Sequence, residues 1–277
     1  KKGDFMYDVS ANMSYTRGRL IHIERNADPN SWENWRNNGT DRWTNIVWGY
    51  DYIGQFQTYE EIVNSPLQGN HALANRFLKP GDLKYRDVNN DGLINRLDEI
   101  PIARGNTPEI SFGLGGTFNY KQFDLDILFQ GAANVNYLND GQWYAREGIH
   151  WIGRNGLMKF ADRWHREDLF DVNSPWIPGR YPSTYSRGPE SPSTQSNIAN
   201  STFWVNNSSY VRLKSVTFGY TLQNAFLTKI GVQSLRIVLS GFNLITWTGL
   251  EDVDPERLQN LIYPNTKTYN FGLNLRL

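Results

Sequence analysis

The chain has 277 residues, 28 basic against 28 acidic side chains, and a mean hydropathy of -0.59. That balance excludes a polybasic nucleic-acid binder and an acidic disordered tail, and no apolar run reaches the roughly 18 residues that a membrane helix needs. Cysteine is absent, which removes disulfide scaffolds, thiolate zinc sites and thiol nucleophiles, while 14% aromatic residues including 10 Trp in a polar chain is the mixture that a membrane β-barrel or a glycan-binding β-sandwich produces.

In chain order, KKGD at residues 1 to 4 reads as a turn, with any targeting segment expected outside the chain. A strand is predicted near 5–17, where Phe5, Tyr7, Val9, Ala11, Met13 and Tyr15 alternate with Asp8, Ser10, Asn12, Ser14 and Thr16. A long connection over 18–107 follows, with a short helix expected at Tyr59–Val63. Strands are predicted near 108–120 (Ile110, Phe112, Leu114, Phe118 and Tyr120 on one face) and 121–133 (Phe123, Leu125, Ile127 and Phe129 against Asp124, Asp126 and Gln130), joined into a hairpin by Lys121-Gln122. Leu128 interrupts the polar face of the second.

The next long connection, 134–207, holds a second expected helix at 155–166 and a Pro-, Ser- and Gly-rich extended stretch at 175–194. The strand near 208–222 carries Val216, Phe218, Tyr220 and Leu222 in its apolar phase, and extrapolating that phase backwards puts Arg212 and Lys214 on the same face, above the lipid of a membrane protein. Strands near 233–245, where Val238 and Phe242 disturb the alternation, and 267–277 complete the set.

Each strand is about ten residues long, enough to cross a hydrocarbon core when tilted by about 45°. Short connections alternate with long ones, as periplasmic turns alternate with extracellular loops in outer-membrane barrels, and this parity places the C-terminus in the periplasm. Six strands are fewer than the roughly eight of the smallest bacterial barrels, and an open edge cannot face lipid, so further strands are expected outside this chain. The fold class expected is all-β, an antiparallel transmembrane β-barrel of which residues 1–277 are a C-terminal segment.

The sharpest local motif is DVNNDGLINRLD, in which Asp87, Asn89, Asp91, Leu93 through its carbonyl, Asn95 and Asp98 take positions 1, 3, 5, 7, 9 and 12 of a calcium loop, with Gly92 at the sharp turn. The same residues suit an Asx-rich turn held by its own side chains. Position 12 is Asp where the standard loop has Glu, and no clear helix pair flanks it. His22, His71, His150 and His165 lack zinc-helix spacing, the Asn-x-Ser/Thr triplets carry no information in so Asn-rich a chain, and no nucleotide-binding or nucleophile-elbow motif is present. Asp124 and Asp126 read as lumen-facing groups, since nothing supplies a nucleophile, an oriented base or an oxyanion site, so no catalysis is expected. Trp32, Trp35, Trp43, Trp143 and Trp151 lie in the long connections, where an indole face suits a sugar or an apolar ligand, or simply packs the loop.

Six segments together resemble one family. They are YIGQFQTYEEIVNSP (52–66), DVNNDGLINRLDEIPI (87–102), GNTPEISFGLGGTFNYKQFDLDILFQGAAN (105–134), STFWVNNSSYVRLKSVTFGYTL (201–222), SGFNLITWTGLEDVDPE (240–256) and YPNTKTYNFGLNLRL (263–277). Their order and spacing are similar to the end of the SusC/RagA-type TonB-dependent outer-membrane transporters of Bacteroidetes. The resemblance implies a plugged barrel of about 22 strands, a SusD-like surface lipoprotein as partner, import of oligosaccharides or peptides, and coupling to TonB through a plug domain absent from this chain. Leu277 departs from the aromatic residue on which many outer-membrane proteins end. The competing reading is a secreted, calcium-stabilised β-sandwich that binds glycans through loop tryptophans.

Overall fold

A computed structural model describes residues 4–68, 71–138, 158–183, 196–251, 253–258 and 265–277, with backbone alone at 71–73. Six long strands dominate: β1 (Phe5–Tyr15), β2 (Ile110–Tyr120), β3 (Phe123–Ala133), β4 (Tyr210–Leu222), β5 (Ser234–Thr248) and β6 (Thr268–Arg276). They form one antiparallel sheet whose order across the sheet is the order in the chain. The protein is all-β in class, and among the described residues no helix is long and apolar enough to cross a membrane.

Because side chains alternate between the faces of a strand, the register sorts residues into rows that run across the sheet. One row is Tyr7, Phe118, Leu125, Phe218, Leu239 and Phe271, all apolar or aromatic. The adjacent row is Asp8, Thr117, Asp126, Thr217, Ser240 and Asn270, all polar. The apolar side is open: Tyr7, Val9, Met13, Tyr269, Phe271 and Leu275 are each more than half exposed. A sandwich requires a second sheet over those rows, and they are left uncovered.

On the polar side, Asp124 accepts from Arg236 Nε at 3.2 Å and Asp126 accepts from Thr117 Oγ1 at 2.7 Å. Gly219 lies opposite Asp124, and a Cβ there would come within 2.3 Å of the Asp124 carboxylate, so the missing side chain is what lets Asp124 lie across β4 to reach Arg236 on β5.

The phase of β4 differs from the sequence expectation. Leu128 pairs with Ser215 but Phe129 pairs with Leu213, so Lys214 is an extra residue in a β-bulge. On the other side Leu213 meets Ile245 and Ser215 meets Phe242, with Asn243 in a left-handed conformation. The bulge reverses the alternation: Val211 and Leu213 continue the apolar face, and Arg212 pairs with Gln130 and Thr246 on the polar face. Arg212 and Lys214 therefore do not stand over the apolar rows.

The chain divides into two compact units. The sheet unit is Lys1–Arg17, Asn106–Tyr137 and Asn207–Leu277; the loop unit is Gly18–Gly105 and Leu138–Asn206, the two longest connections folded together. The loop unit has its own core of Leu83, Tyr85, Ile94, Phe160, Tyr181 and Trp204, with Phe56, Ile62 and Leu78 as a second cluster. Its buried polar groups tie distant segments together. Asn197 accepts from the Leu83 N–H at 2.9 Å and donates to Asp82 at 2.9 Å, while the Gln68 amide donates to the Leu83 carbonyl at 2.6 Å and to Ser196 Oγ at 2.7 Å. Burial pushes the Tyr50 phenol up to about 12 and raises that of Tyr85, which donates to the Ser196 carbonyl at 2.7 Å.

The expected short helix forms at Tyr59–Val63, capped by Thr58, whose Oγ1 accepts from the Glu61 N–H at 3.1 Å. The helix expected over 155–166 does not. Among its described residues a single 3-10 turn covers Met158–Ala161, after which Trp164 is pulled into extended backbone by a bond from its N–H to the Tyr181 carbonyl at 2.9 Å, and His165–Arg166 pairs with Trp176–Ile177. Burying Trp164 against another segment outweighs the local helical pattern there. An unpredicted helix, Ser31–Asn37, is capped by Asn30, which accepts from the Glu33 N–H at 2.8 Å.

Candidate functional site

The bulge in β4 builds the most organised polar site of the sheet unit. Arg212, turned to the polar face and only 2% exposed, donates from Nε to Thr246 Oγ1 at 2.8 Å, from Nη1 to Glu256 at 2.9 Å and from Nη2 to Asp254 at 2.9 Å. Lys214 Nζ lies 3.0 Å from both carboxylate oxygens of Glu256, so two cations meet two carboxylates. Asp254 also accepts from the Glu256 N–H at 2.9 Å and the Asn265 N–H at 3.2 Å, and Asn265 donates its amide to Glu256 at 2.6 Å. The connection between β5 and β6 is thus pinned to the sheet at the bulge. Beside it a cleft of about 580 Å³ is lined by Asn106, Gln130, Tyr210, Glu256, Arg257 and Leu258 among others. The network gives each of the three Arg212 nitrogens a partner, as a buried charge requires.

The residues with calcium-loop spacing share one turn and bond to its backbone. Asp87 accepts from the Gly92 N–H at 2.8 Å, Asn89 from the Asp91 N–H at 3.0 Å, and Asp91 from the Leu93 N–H at 2.8 Å. Gly92, at φ 82°, makes the turn. Asp98 is fully buried and accepts from the Val88 and Asn95 N–H groups at 2.9 and 2.8 Å, and Asn95 accepts from the Leu97 N–H at 2.8 Å, a reciprocal capping box on the turn Arg96–Asp98. Among the described residues no three His, Asp or Glu side chains are grouped closely enough to hold a metal ion. In this arrangement the motif is an Asx-rich turn whose oxygens serve its own amides.

Of the candidate ligand-binding tryptophans, Trp32 and Trp35 are brought together with Trp48, which periodicity did not single out. Trp35 stands edge-on to Trp48 at 5.4 Å and tilted to Trp32 at 6.5 Å. The guanidinium of Arg42 lies 5.0 Å over Trp35, and that of Arg36 5.4 Å over Trp48, so cations already cover these indole faces. Trp43 is separate, under Arg19 at 5.7 Å. Trp143 and Trp151 lie outside the described residues.

Comparison with known proteins bears on what such a sheet belongs to. No family model matches the chain. "TonB-dependent receptor P3" of Formosa agariphila is 26% identical over 99% of this chain, and "TonB-dependent receptor P26" of the same organism is 28% identical over 83% of it. A chain in the "Structure of the RagAB peptide transporter" superposes with a TM-score of 0.62 over 99% of this chain at 20% identity, a likeness of fold. In sequence the chain is thus similar to TonB-dependent receptors, and in fold to a chain of a RagAB transporter. It spans 27% and 22% of the two receptors' lengths and 28% of the transporter chain, about a quarter in each case. These relatives are named receptors and a transporter, not enzymes. The chain's sheet of six antiparallel strands fits a segment of a β-barrel.

Proposed function

We propose that the chain supplies wall strands and outer loops of a TonB-dependent importer in the bacterial outer membrane, with its C-terminus periplasmic and the long connections extracellular. Further strands and a plug of the same transporter complete the barrel, and TonB acts through that plug. A SusD-like surface lipoprotein captures oligosaccharide or peptide substrates at the outer loops. The observation that carries this reading is the open apolar face. Phe5 to Tyr15 extends for about 33 Å along the strand at roughly 3.3 Å per residue, and a tilt of about 40° brings it close to the roughly 25 Å apolar band of outer-membrane barrels.

The substrate class is supported by the printed name of the peptide transporter that the fold resembles and by the polar cleft beside Arg212. The test is fractionation of cells making the full-length transporter, followed by uptake of labelled peptides and oligosaccharides with and without the lipoprotein. Recovery of the transporter in a detergent-free soluble fraction would end the membrane reading, and equal uptake without the lipoprotein would end the partnership.

Calcium in the Asp87–Asp98 loop is part of the same proposal. Its support is the spacing of Asp87, Asn89, Asp91, the Leu93 carbonyl, Asn95 and Asp98, which would hold the ion. Asp98 would have to give up its two backbone donors. Calcium should raise the melting temperature of the full-length transporter, and Asp87→Asn with Asp91→Asn should abolish that rise; an unchanged melting temperature in saturating calcium argues for the Asx turn alone.

A further inference from the structure

The two long connections, 18–107 and 134–207, share one interior. Its core takes Leu83, Tyr85 and Ile94 from the first connection and Phe160, Tyr181 and Trp204 from the second. Leu83, Phe160 and Trp204 are at most 2% exposed. Rings cross between the two as well: Tyr52 stands edge-on to Phe203 at 5.0 Å, and the Trp164 indole N–H donates to Gln55 Oε1 at 3.1 Å.

The backbones are also joined. The Tyr50 N–H donates to the Asn200 carbonyl at 2.8 Å and the Thr202 N–H to the Tyr50 carbonyl at 3.0 Å, which makes a parallel bridge between Tyr50 and Ser201. A Cβ on Gly49 would come within 2.3 Å of the Asn200 carbonyl oxygen, so glycine is what lets the two segments approach there.

Parting the connections would carry three enclosed side chains into water and separate Asn197 from Asp82 and Gln68 from Ser196, both of them buried pairs. Loss of apolar burial opposes the first change, and the loss of satisfied hydrogen bonds opposes the second. Jaws that open and shut must wet their facing surfaces in every cycle. Here those surfaces are the core itself.

We propose that the two connections act as a single conformational body whose halves stay joined through every step of the protein's working cycle, so that neither opens or closes without the other. The coupling rests on the shared interior alone, and only the uptake readout below rests on the proposed import.

Two measurements on the full-length protein test this. Paired residues of adjacent strands lie about 5 Å apart at Cα, within the roughly 4.4–6.8 Å that a disulfide spans, so Tyr50→Cys with Ser201→Cys should crosslink on oxidation. The 277 residues hold no native cysteine to compete. Uptake of labelled peptides and oligosaccharides by the oxidised variant should stay within about twofold of uptake by the same variant reduced. A loss of about tenfold that a reductant reverses would show that the halves must part, and would overturn the proposal, as would failure of the pair to crosslink. No uptake even by the unsubstituted protein would count against import and leave the second measurement to decide. There, Phe160→Leu should speed amide exchange by about fivefold or more at Tyr52 and Leu83 as well as at Trp164 and Trp204, because a shared core opens as one unit. Acceleration confined to the second connection would overturn the proposal.

Discussion

The sheet unit and the loop unit solve the problem of apolar side chains in opposite ways. The loop unit buries them: Phe160, Leu83 and Trp204 are almost fully enclosed, and the polar groups trapped beside them are paired through Asn197, Gln68 and Asp82. The sheet unit displays them in rows and instead encloses a charge, Arg212, on its other face. The first closes a core of its own, whereas the second leaves its apolar face open. The difference teaches that one chain can treat apolar surface in two ways, and the division between them falls at the strand ends near residues 17, 106, 137 and 207.

Four measurements sharpen or break that contrast. Arg212→Met strands Asp254 and Glu256 beside an apolar group, and we expect a loss of about 3–5 kcal/mol in equilibrium unfolding of the lipid-reconstituted protein, the range for removing one partner of a buried ion pair. Phe218→Lys, in the middle apolar row, should cost about 2–4 kcal/mol in lipid, while Thr217→Lys one residue away should cost far less. Equal penalties for neighbouring residues would erase the distinction between the faces. In the loop unit, Asn197→Ala removes the bonds to the Leu83 N–H and to Asp82, and about 1–3 kcal/mol should disappear from the hydrogen-exchange protection of that unit with the sheet unaffected.

The smallest effect concerns Lys79, whose ammonium burial lowers its pKa from 10.5 to about 8 against the opposing pull of Asp82. Between about pH 8 and 10.5 the unfolded chain binds more protons than the folded one, so the Lys79 contribution makes the loop unit more stable as pH rises through that window. Lys79→Met should remove that rise. A slope unchanged by the substitution would mean that Lys79 does not set it.

Much of this was legible in the residues. The alternation Phe5 to Tyr15 and Tyr269 to Leu275 located β1 and β6 because a half-polar strand repeats every second residue whatever surrounds it. The bulge was not legible as such, although it left a trace: Arg212 and Lys214 in an apolar phase are an anomaly that one extra residue removes. The site that follows from it joins β4 to Asp254 and Glu256 more than 40 positions away, a pairing that no local pattern encodes. Trp48 escaped for the same reason, since its partners Arg36 and Arg42 meet it through tertiary packing. At 158–166 the local helical pattern was legible and misleading, because Tyr181 supplies the backbone partner that Trp164 takes instead.

The sheet order has a consequence for the timing of assembly. Every strand of the meander pairs only with its predecessor and successor, so the β2–β3 hairpin can close as soon as residue 133 is available. The loop unit must wait, because the Tyr52 N–H finds its acceptor on Thr202, 150 residues later. The hairpin therefore needs only neighbouring residues, whereas the loop unit needs both of its connections present before its long-range bonds can form.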